Sequence, residues 1–331
     1  MGYGNYSFAA HAALTASRAH QSRNEVFKQT SCHPLMDPKG LKVRESRDSS
    51  DHPNALGVMF ALDVTGSMGD IPHLLAKDEL PKFMKLLTDC GVADPQVLFM
   101  AVGDATSDRA ALQVGQFETT AELMDQWLTW SYLEGGGGGS GHESYELAFY
   151  VAAQHTDTDN WAKRKKKGYF FMTGDELPYP AVARHQVDAL LGEKLDEDIP
   201  IEEVIAAAAE SYHLFFLIPD PGRALKVGAR WRELLGDHVI RMESPRDTCL
   251  VAASIVGLTE GLVPDLDALA GVLASSGTHR DHVGSTVRAV SDYAALLGTG
   301  KPKPSVAGHS GVAQTSAPVQ PAAPWWKRLF G

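Results

Sequence analysis

Six mostly apolar residues, Gly57-Val58-Met59-Phe60-Ala61-Leu62, run straight into Asp63-Val64-Thr65-Gly66-Ser67-Met68-Gly69-Asp70. An unbroken apolar run bounded by turn signals suits a strand buried on both faces, since a strand with one wet face would alternate. Ile71-Pro72 and the helical pattern behind it place a helix directly after the turn. The acid, the two hydroxyls and the glycines therefore sit at the carboxyl end of a central strand. In open α/β sheets that edge is where ligands bind.

Asp63, Thr65 and Ser67 alternate, so an extended turn can point one carboxylate and two hydroxyl oxygens the same way while the glycines let the backbone fold tightly. Hard oxygen donors carrying little charge suit a small hard cation, Mg²⁺ or Mn²⁺, which keeps open positions for water or a ligand oxygen. Asp63-Val64-Thr65-Gly66-Ser67-Met68 resembles the D-x-S/T-G-S-M motif of von Willebrand factor A (VWA) domains, where it forms the metal-ion-dependent adhesion site. The likeness covers roughly residues 54–260. It implies a doubly wound α/β fold with a mostly parallel central sheet, a second loop that ends just before a helix, and a third loop that brings an acid.

The second loop falls on Glu134-Gly135-Gly136-Gly137-Gly138-Gly139-Ser140-Gly141-His142-Glu143-Ser144. The family delivers a Thr here, which this chain lacks, so Glu143 or Ser144, and after them Ser140, stand in for it. The glycine run is not a phosphate-binding P-loop, because no Lys-Ser/Thr closes it and no clear strand precedes it. The third loop is Thr173-Gly174-Asp175-Glu176-Leu177-Pro178 after the strand Gly168–Met172, with Asp175 as the family's acid. The metal set implied is thus Asp63, Thr65, Ser67, Glu143, Ser144 and Asp175. The glycines let the second loop move, so that Glu143 either completes the site internally or leaves it to a partner's carboxylate.

Between these loops strands and helices alternate, as a parallel sheet covered on both faces requires. Expected strands are Gln96–Val102, a short edge at Leu112–Phe117, Tyr212–Ile218 and His238–Met242. Expected helices are Ile71–Cys90, kinked or split at Pro81, then Thr119–Trp130 with Leu123, Trp127 and Trp130 on its core face, Pro180–Leu191, Ile201–Glu210 and Ala224–Leu235. Ser244-Pro245 caps and starts a further helix. Lys163-Arg164-Lys165-Lys166-Lys167 reads as a solvated turn.

Four segments follow: an N-terminal arm (1–53) packing on the main domain, the VWA-like domain (54–260), a helical extension (261–298) and a linker with a terminal motif (299–331). In the arm, Cys32, His33 and His52 match no zinc spacing and lack a fourth ligand. Glycine, proline, serine and alanine dominate 298–324, which predicts disorder, and the chain closes on Trp325-Trp326-Lys327-Arg328-Leu329-Phe330. Trp325, Trp326, Leu329 and Phe330 would bind a second protein partner or touch a membrane surface.

Composition excludes some classes. Thirty Lys and Arg against 41 Asp and Glu give a net charge of −11, so no global basic field draws the chain to nucleic acid. Three scattered cysteines argue against a disulfide framework, and no apolar run approaches the ~20 residues of a membrane span, so the expectation is a cytoplasmic protein. The functional expectation is a non-enzymatic, metal-dependent protein-interaction module, an adaptor or assembly factor. Resemblance to bacterial-type intracellular VWA proteins links it to AAA+ ATPase machines. Two alternatives stand beside it. Asp63-Val64-Thr65-Gly66 is also similar to the nucleophile motif of haloacid-dehalogenase-like phosphatases, though Thr65 stands where their second acid belongs. The other is a metal-free assembly module.

Overall fold

Strand β1, Ala55–Asp63, is buried along its whole length. Leu56, Val58, Phe60 and Leu62 point into one apolar layer and Met59 and Ala61 into the other, the period of two that a doubly covered strand imposes. The computed structural model describes residues 4–66, 68, 70–135 and 139–299. Ser67 and the segment carrying Trp325, Trp326, Leu329 and Phe330 lie outside the described residues, as does the linker expected to be disordered from residue 300 on.

The other strands of the central sheet are β2 (Asp94–Val102), β3 (Leu112–Val114), β4 (Gly168–Thr173), β5 (Tyr212–Ile218) and β6 (Val239–Arg241). Their order is β6-β5-β4-β1-β2-β3, six strands, parallel throughout except for β3, which closes one edge antiparallel to β2. The winding reverses between β1 and β4: the chain builds outward from β1 through β2 and β3, then returns to start again at β4. Such a reversal splays the loops that leave the two central strands and opens a crevice beyond their carboxyl ends.

The longer helices are, in chain order, α1 (Phe8–Ala16), α2 (Leu80–Asp89), α3 (Ala121–Thr129), α4 (Tyr145–Gln154), α5 (Ile201–Ser211), α6 (Pro221–Leu235), α7 (Thr248–Thr259), α8 (Leu266–Ser275) and α9 (Arg280–Leu296). α2, α3, α7, α8 and α9 contribute to the layer on one face, and α4, α5 and α6 to the other. Leu269 and Leu273 of α8 and Val290, Tyr293 and Ala294 of α9 share the core of the first layer. The arm joins the body through a partly buried ion pair between Arg18 and Asp125, through Val26 and Phe27 in the first layer, and through Arg44–Ser46 paired parallel with Thr156–Thr158.

Where the chain departs from the sequence reading, the causes are local. Ahead of α2 a short helix, Asp70–Leu74, passes into one π turn, Leu75–Glu79, in which the Leu80 N–H reaches the Leu75 carbonyl. The widened turn stands directly before Pro81, whose ring and missing N–H an ordinary α turn cannot accommodate. The helix expected over Pro180–Leu191 is confined to Arg184–Leu190, because Ala181–Val182 pairs antiparallel with Ile199–Pro200. Pro200 biases Ile199 before it to extended backbone, which favours that pairing.

The basic turn is not simply solvated. Lys163 pairs with Asp159 at 2.6 Å, Arg164 with Asp48 at 2.8 Å and Lys166 with Glu260, while Lys165 lies over the Trp161 ring and Lys167 donates to the Ala209 carbonyl at 2.6 Å. Trp127 and Trp130 are half-buried: Trp127 Nε1 donates to Glu118 at 3.0 Å and Trp130 stacks on His33 at 3.9 Å. His52 sits apart from His33, with Nε2 donating to the Gly4 carbonyl at 2.8 Å.

Candidate metal centre

Asp63 is the last residue of β1 and fully buried. Its Oδ1 accepts from the Thr65 N–H at 2.9 Å and the Thr65 hydroxyl at 2.5 Å, so the turn folds back on its own acid. Oδ2 accepts from the Tyr145 hydroxyl at 2.5 Å. Burial drives the carboxyl up to about 7, against the pull of these three donors, and the charge of Asp175 adds to the rise. Thr65 is buried beside it.

Asp175 arrives from the loop after β4, 2% exposed, and its Oδ2 lies 3.3 Å from Arg223 Nε. The same guanidinium reaches Glu176 Oε1 through Nη1 at 2.6 Å. Gly174 between β4 and Asp175 is dictated by space: a Cβ there would stand 2.5 Å from the Tyr145 hydroxyl and 2.8 Å from Phe216 Cζ. The backbone of the third loop thus passes directly over the tyrosine that holds Asp63.

Glu143 enters from the second loop, where His142–Glu143 pairs parallel with Leu177–Pro178 of the third. It is 4% exposed and its Oε2 has no hydrogen-bond partner. Burial, and after it the charges of Asp63, Asp108, Asp104 and Glu176, push its carboxyl up to about 9. Ser144 follows at the start of α4, fully buried, but its hydroxyl accepts from the Ala105 N–H at 2.9 Å, which fastens α4 to the loop after β2. Ser140 is directed elsewhere, within 3.3 Å of Asp104 Oδ2 and 3.0 Å of the His142 carbonyl.

The loop after β2 is a second acidic turn. Asp104 Oδ1 accepts from the Thr106 N–H at 2.8 Å, the Thr106 hydroxyl at 2.7 Å and the Tyr179 hydroxyl at 3.0 Å, and Asp108 Oδ2 accepts from the Asp104 N–H at 2.7 Å. These donors hold the Asp104 carboxyl below its usual range despite its burial.

Of the residues singled out in the sequence, Asp63, Thr65, Glu143 and Asp175 therefore converge on the crevice between β1 and β4. Ser144 borders it with its hydroxyl engaged, Ser140 belongs to the Asp104 turn, and Ser67 is outside the described residues. Among the described residues no three His, Cys, Asp or Glu side chains come close enough together to share an ion. What converges is carboxylates interleaved with hydroxyls. Two contributors escaped the sequence reading. Tyr145 looks like any core aromatic on an apolar helix face, and Arg223 lies 48 positions past Asp175 with no spacing rule to join them.

No protein-family model matches the chain. No curated protein matches it. Among solved structures it is similar to the open conformation of the pilus adhesin SpaC from Lactobacillus rhamnosus GG, at 10% identity and TM-score 0.42 over 71% of this chain and 31% of that one. It is similar to a von Willebrand factor type A protein from Catenulispora acidiphila, at 13% identity and TM-score 0.38 over 71% of this chain and 52% of that one. A third is the vWF domain of a type V pili tip protein from Porphyromonas gingivalis, at 8% identity and TM-score 0.40 over 67% of this chain and 96% of that one. The chain spans about a third of the adhesin and half of the Catenulispora protein. All three TM-scores lie below 0.5, so the fold rests on this chain's own strand order: a six-stranded, mostly parallel α/β sheet that reverses at β1 and β4.

Proposed function

We propose that this chain is a protein-interaction module of the VWA type whose binding is controlled by a divalent cation, Mg²⁺ or Mn²⁺, in the crevice between β1 and β4. The observation that carries the reading is Glu143: a nearly buried carboxyl with an unpartnered oxygen, facing the charges of Asp63, Asp104, Asp108 and Glu176. A cation is the group that removes such a conflict, since it ionises crowded carboxyls and satisfies their oxygens together. The donor set is oxygen only, which fits the ion. Asp63, Thr65, Ser67 and Asp175 would hold it, with Glu143 or Ser144 completing the set. When bound, it offers an open coordination position to an oxygen of a partner protein.

The chain's own residues do the positioning. Thr65 and Tyr145 fix the Asp63 carboxyl from both sides, and Gly174 brings the third loop within reach. The same grip disfavours the phosphatase reading, in which Asp63 attacks phosphorus as a free nucleophile. A second attachment through Trp325 and Trp326 would raise the effective concentration of a bound partner. The link to AAA+ machines belongs to this reading on the sequence resemblance alone, and a cytoplasmic setting on the three scattered cysteines and the apolar runs too short for a membrane span. Among the described residues no helix is long and apolar enough to cross a membrane.

The deciding experiment is a thermal melt of the full chain in EDTA, with Mg²⁺ then titrated back, beside Asp63→Ala and Asp175→Ala. A native-state site raises the melting temperature once free ion exceeds its dissociation constant, by ~2.7 kcal/mol of stability at a hundredfold excess. The wild type is expected to respond and both variants to lose the response. A flat wild-type titration refutes the metal centre, and turnover of a generic phosphoester that disappears in Asp63→Asn would establish the enzyme instead.

A further inference from the structure

After β5 the chain turns at Asp220-Pro221 into α6, and the Asp220 side chain caps the helix by accepting from the Arg223 N–H at 2.7 Å. That cap delivers a permanent cation to the first turn of α6. A positive charge there opposes the helix dipole, so acids must hold it. Asp175 is the largest influence raising the Arg223 guanidinium above its ordinary value, with Glu176 and Asp220 adding to it. Arginine does not shed its proton in proteins, so the crevice always holds a tethered charge of +1 beside the acid that the metal reading assigns to the ion.

We propose that Arg223 is an internal competitor for the metal. In the ion-free protein its guanidinium neutralises Asp175; an ion entering between Asp63 and Asp175 takes over that carboxylate and leaves Arg223 on Glu176. The side chain is 33% exposed, so it has solvent to swing into, and the 2.6 Å contact with Glu176 keeps it at the rim. The anchor behind it is firm: Trp231, one helical face along α6, donates Nε1 to the Glu176 carbonyl at 3.0 Å. Ion occupancy is thereby coupled to the first turn of α6, and Arg223 sets the ion concentration at which the site fills. This inference rests on the metal-centre reading.

The test is calorimetric titration of the full 331-residue chain with MgCl₂ at low ionic strength, using wild type, Arg223→Gln, Arg223→Met as a second charge-free variant, Arg223→Lys and Asp63→Ala. Removing a unit charge from the edge of a divalent site is expected to tighten Mg²⁺ binding by about tenfold or more in both charge-free variants, while Arg223→Lys stays within about threefold of wild type. In an Asp175→Asn background the Arg223→Gln effect is expected to shrink below about threefold, since the contested carboxylate is gone. Wild-type binding that is lost in Asp63→Ala but unchanged or weakened in Arg223→Gln and Arg223→Met overturns the competitor and leaves the metal centre standing. No Mg²⁺ binding in wild type or in either charge-free variant overturns both.

Discussion

Gly174 shows how little freedom the site has at the scale of single residues. An added methyl would overlap both the Tyr145 hydroxyl and Phe216, and neither ring can retreat, since Tyr145 and Phe216 are fully buried and packed edge to face at 5.4 Å. Gly174→Ala is expected to cost ~1–3 kcal/mol, the usual penalty of overpacking, read from the midpoint of urea unfolding. Wild-type stability in that variant would mean that the third loop is loose and does not press on the Asp63 partner. The place of Asp63 and Thr65 at the end of β1 was legible because an apolar run that stops on an acid and turn residues marks the end of a buried strand. Tyr145 was not, because a tyrosine that donates to a buried acid and one that merely fills a core have the same sequence context.

At the scale of elements, α6 is the member that ties the crevice to the hydrophobic interior. Trp231 is fully buried, stacks on Phe216 of β5 at 3.6 Å, meets Tyr145 of α4 edge-on at 5.6 Å and bonds the third-loop backbone at Glu176. Trp231→Ala is expected to cost ~3–5 kcal/mol. It should also raise amide exchange over 174–178 more than over β2, because the Glu176 carbonyl loses its donor. Equal protection of both segments would show that the loop holds itself. The strands of the central sheet were readable to within three residues at either end from apolar runs and turn signals, the widest miss being the edge strand that stops at Val114. The pairing of Ala181–Val182 with Ile199–Pro200 was not, since a two-residue contact across a turn carries no periodicity to detect.

The whole molecule adds a dependence on pH. His11 is completely buried on α1, with Nδ1 on the Tyr6 hydroxyl at 2.9 Å and Nε2 without a partner, and burial lowers its imidazole to about 4. His213, where β5 enters the sheet, is lowered to about 4 as well, first by burial and then by Lys167. An unfolded histidine titrates near 6.5, so the native state binds fewer protons between pH 6.5 and 4. The stability these neutral rings contribute is complete above pH 6.5, declines as the pH falls and levels off below 4. His11→Gln should flatten that acid limb by up to ~3 kcal/mol in melts from pH 7 to 4, and parallel limbs for the two proteins would reject it. The comparison with the variant separates this from Asp63 and Glu143, whose raised values work in the opposite direction, their contribution fading as the pH rises. Long-range arrangement is what the sequence withheld. Strand order, the arm pinned by Arg18 to Asp125 and the basic turn spent on Asp48, Asp159 and Glu260 all join residues far apart along the chain.

The place of β1 between β2 and β4 also sets a schedule for biosynthesis. The ribosome delivers β2 soon after β1, but β4 ends at Thr173, more than a hundred residues beyond Asp63. At typical elongation rates one long edge of an apolar strand then waits unpaired for about 5–20 s. During that interval the nascent half-sheet has the features that chaperones capture and that seed aggregation, and the molecule's yield in a cell depends on how that edge is guarded until β4 arrives.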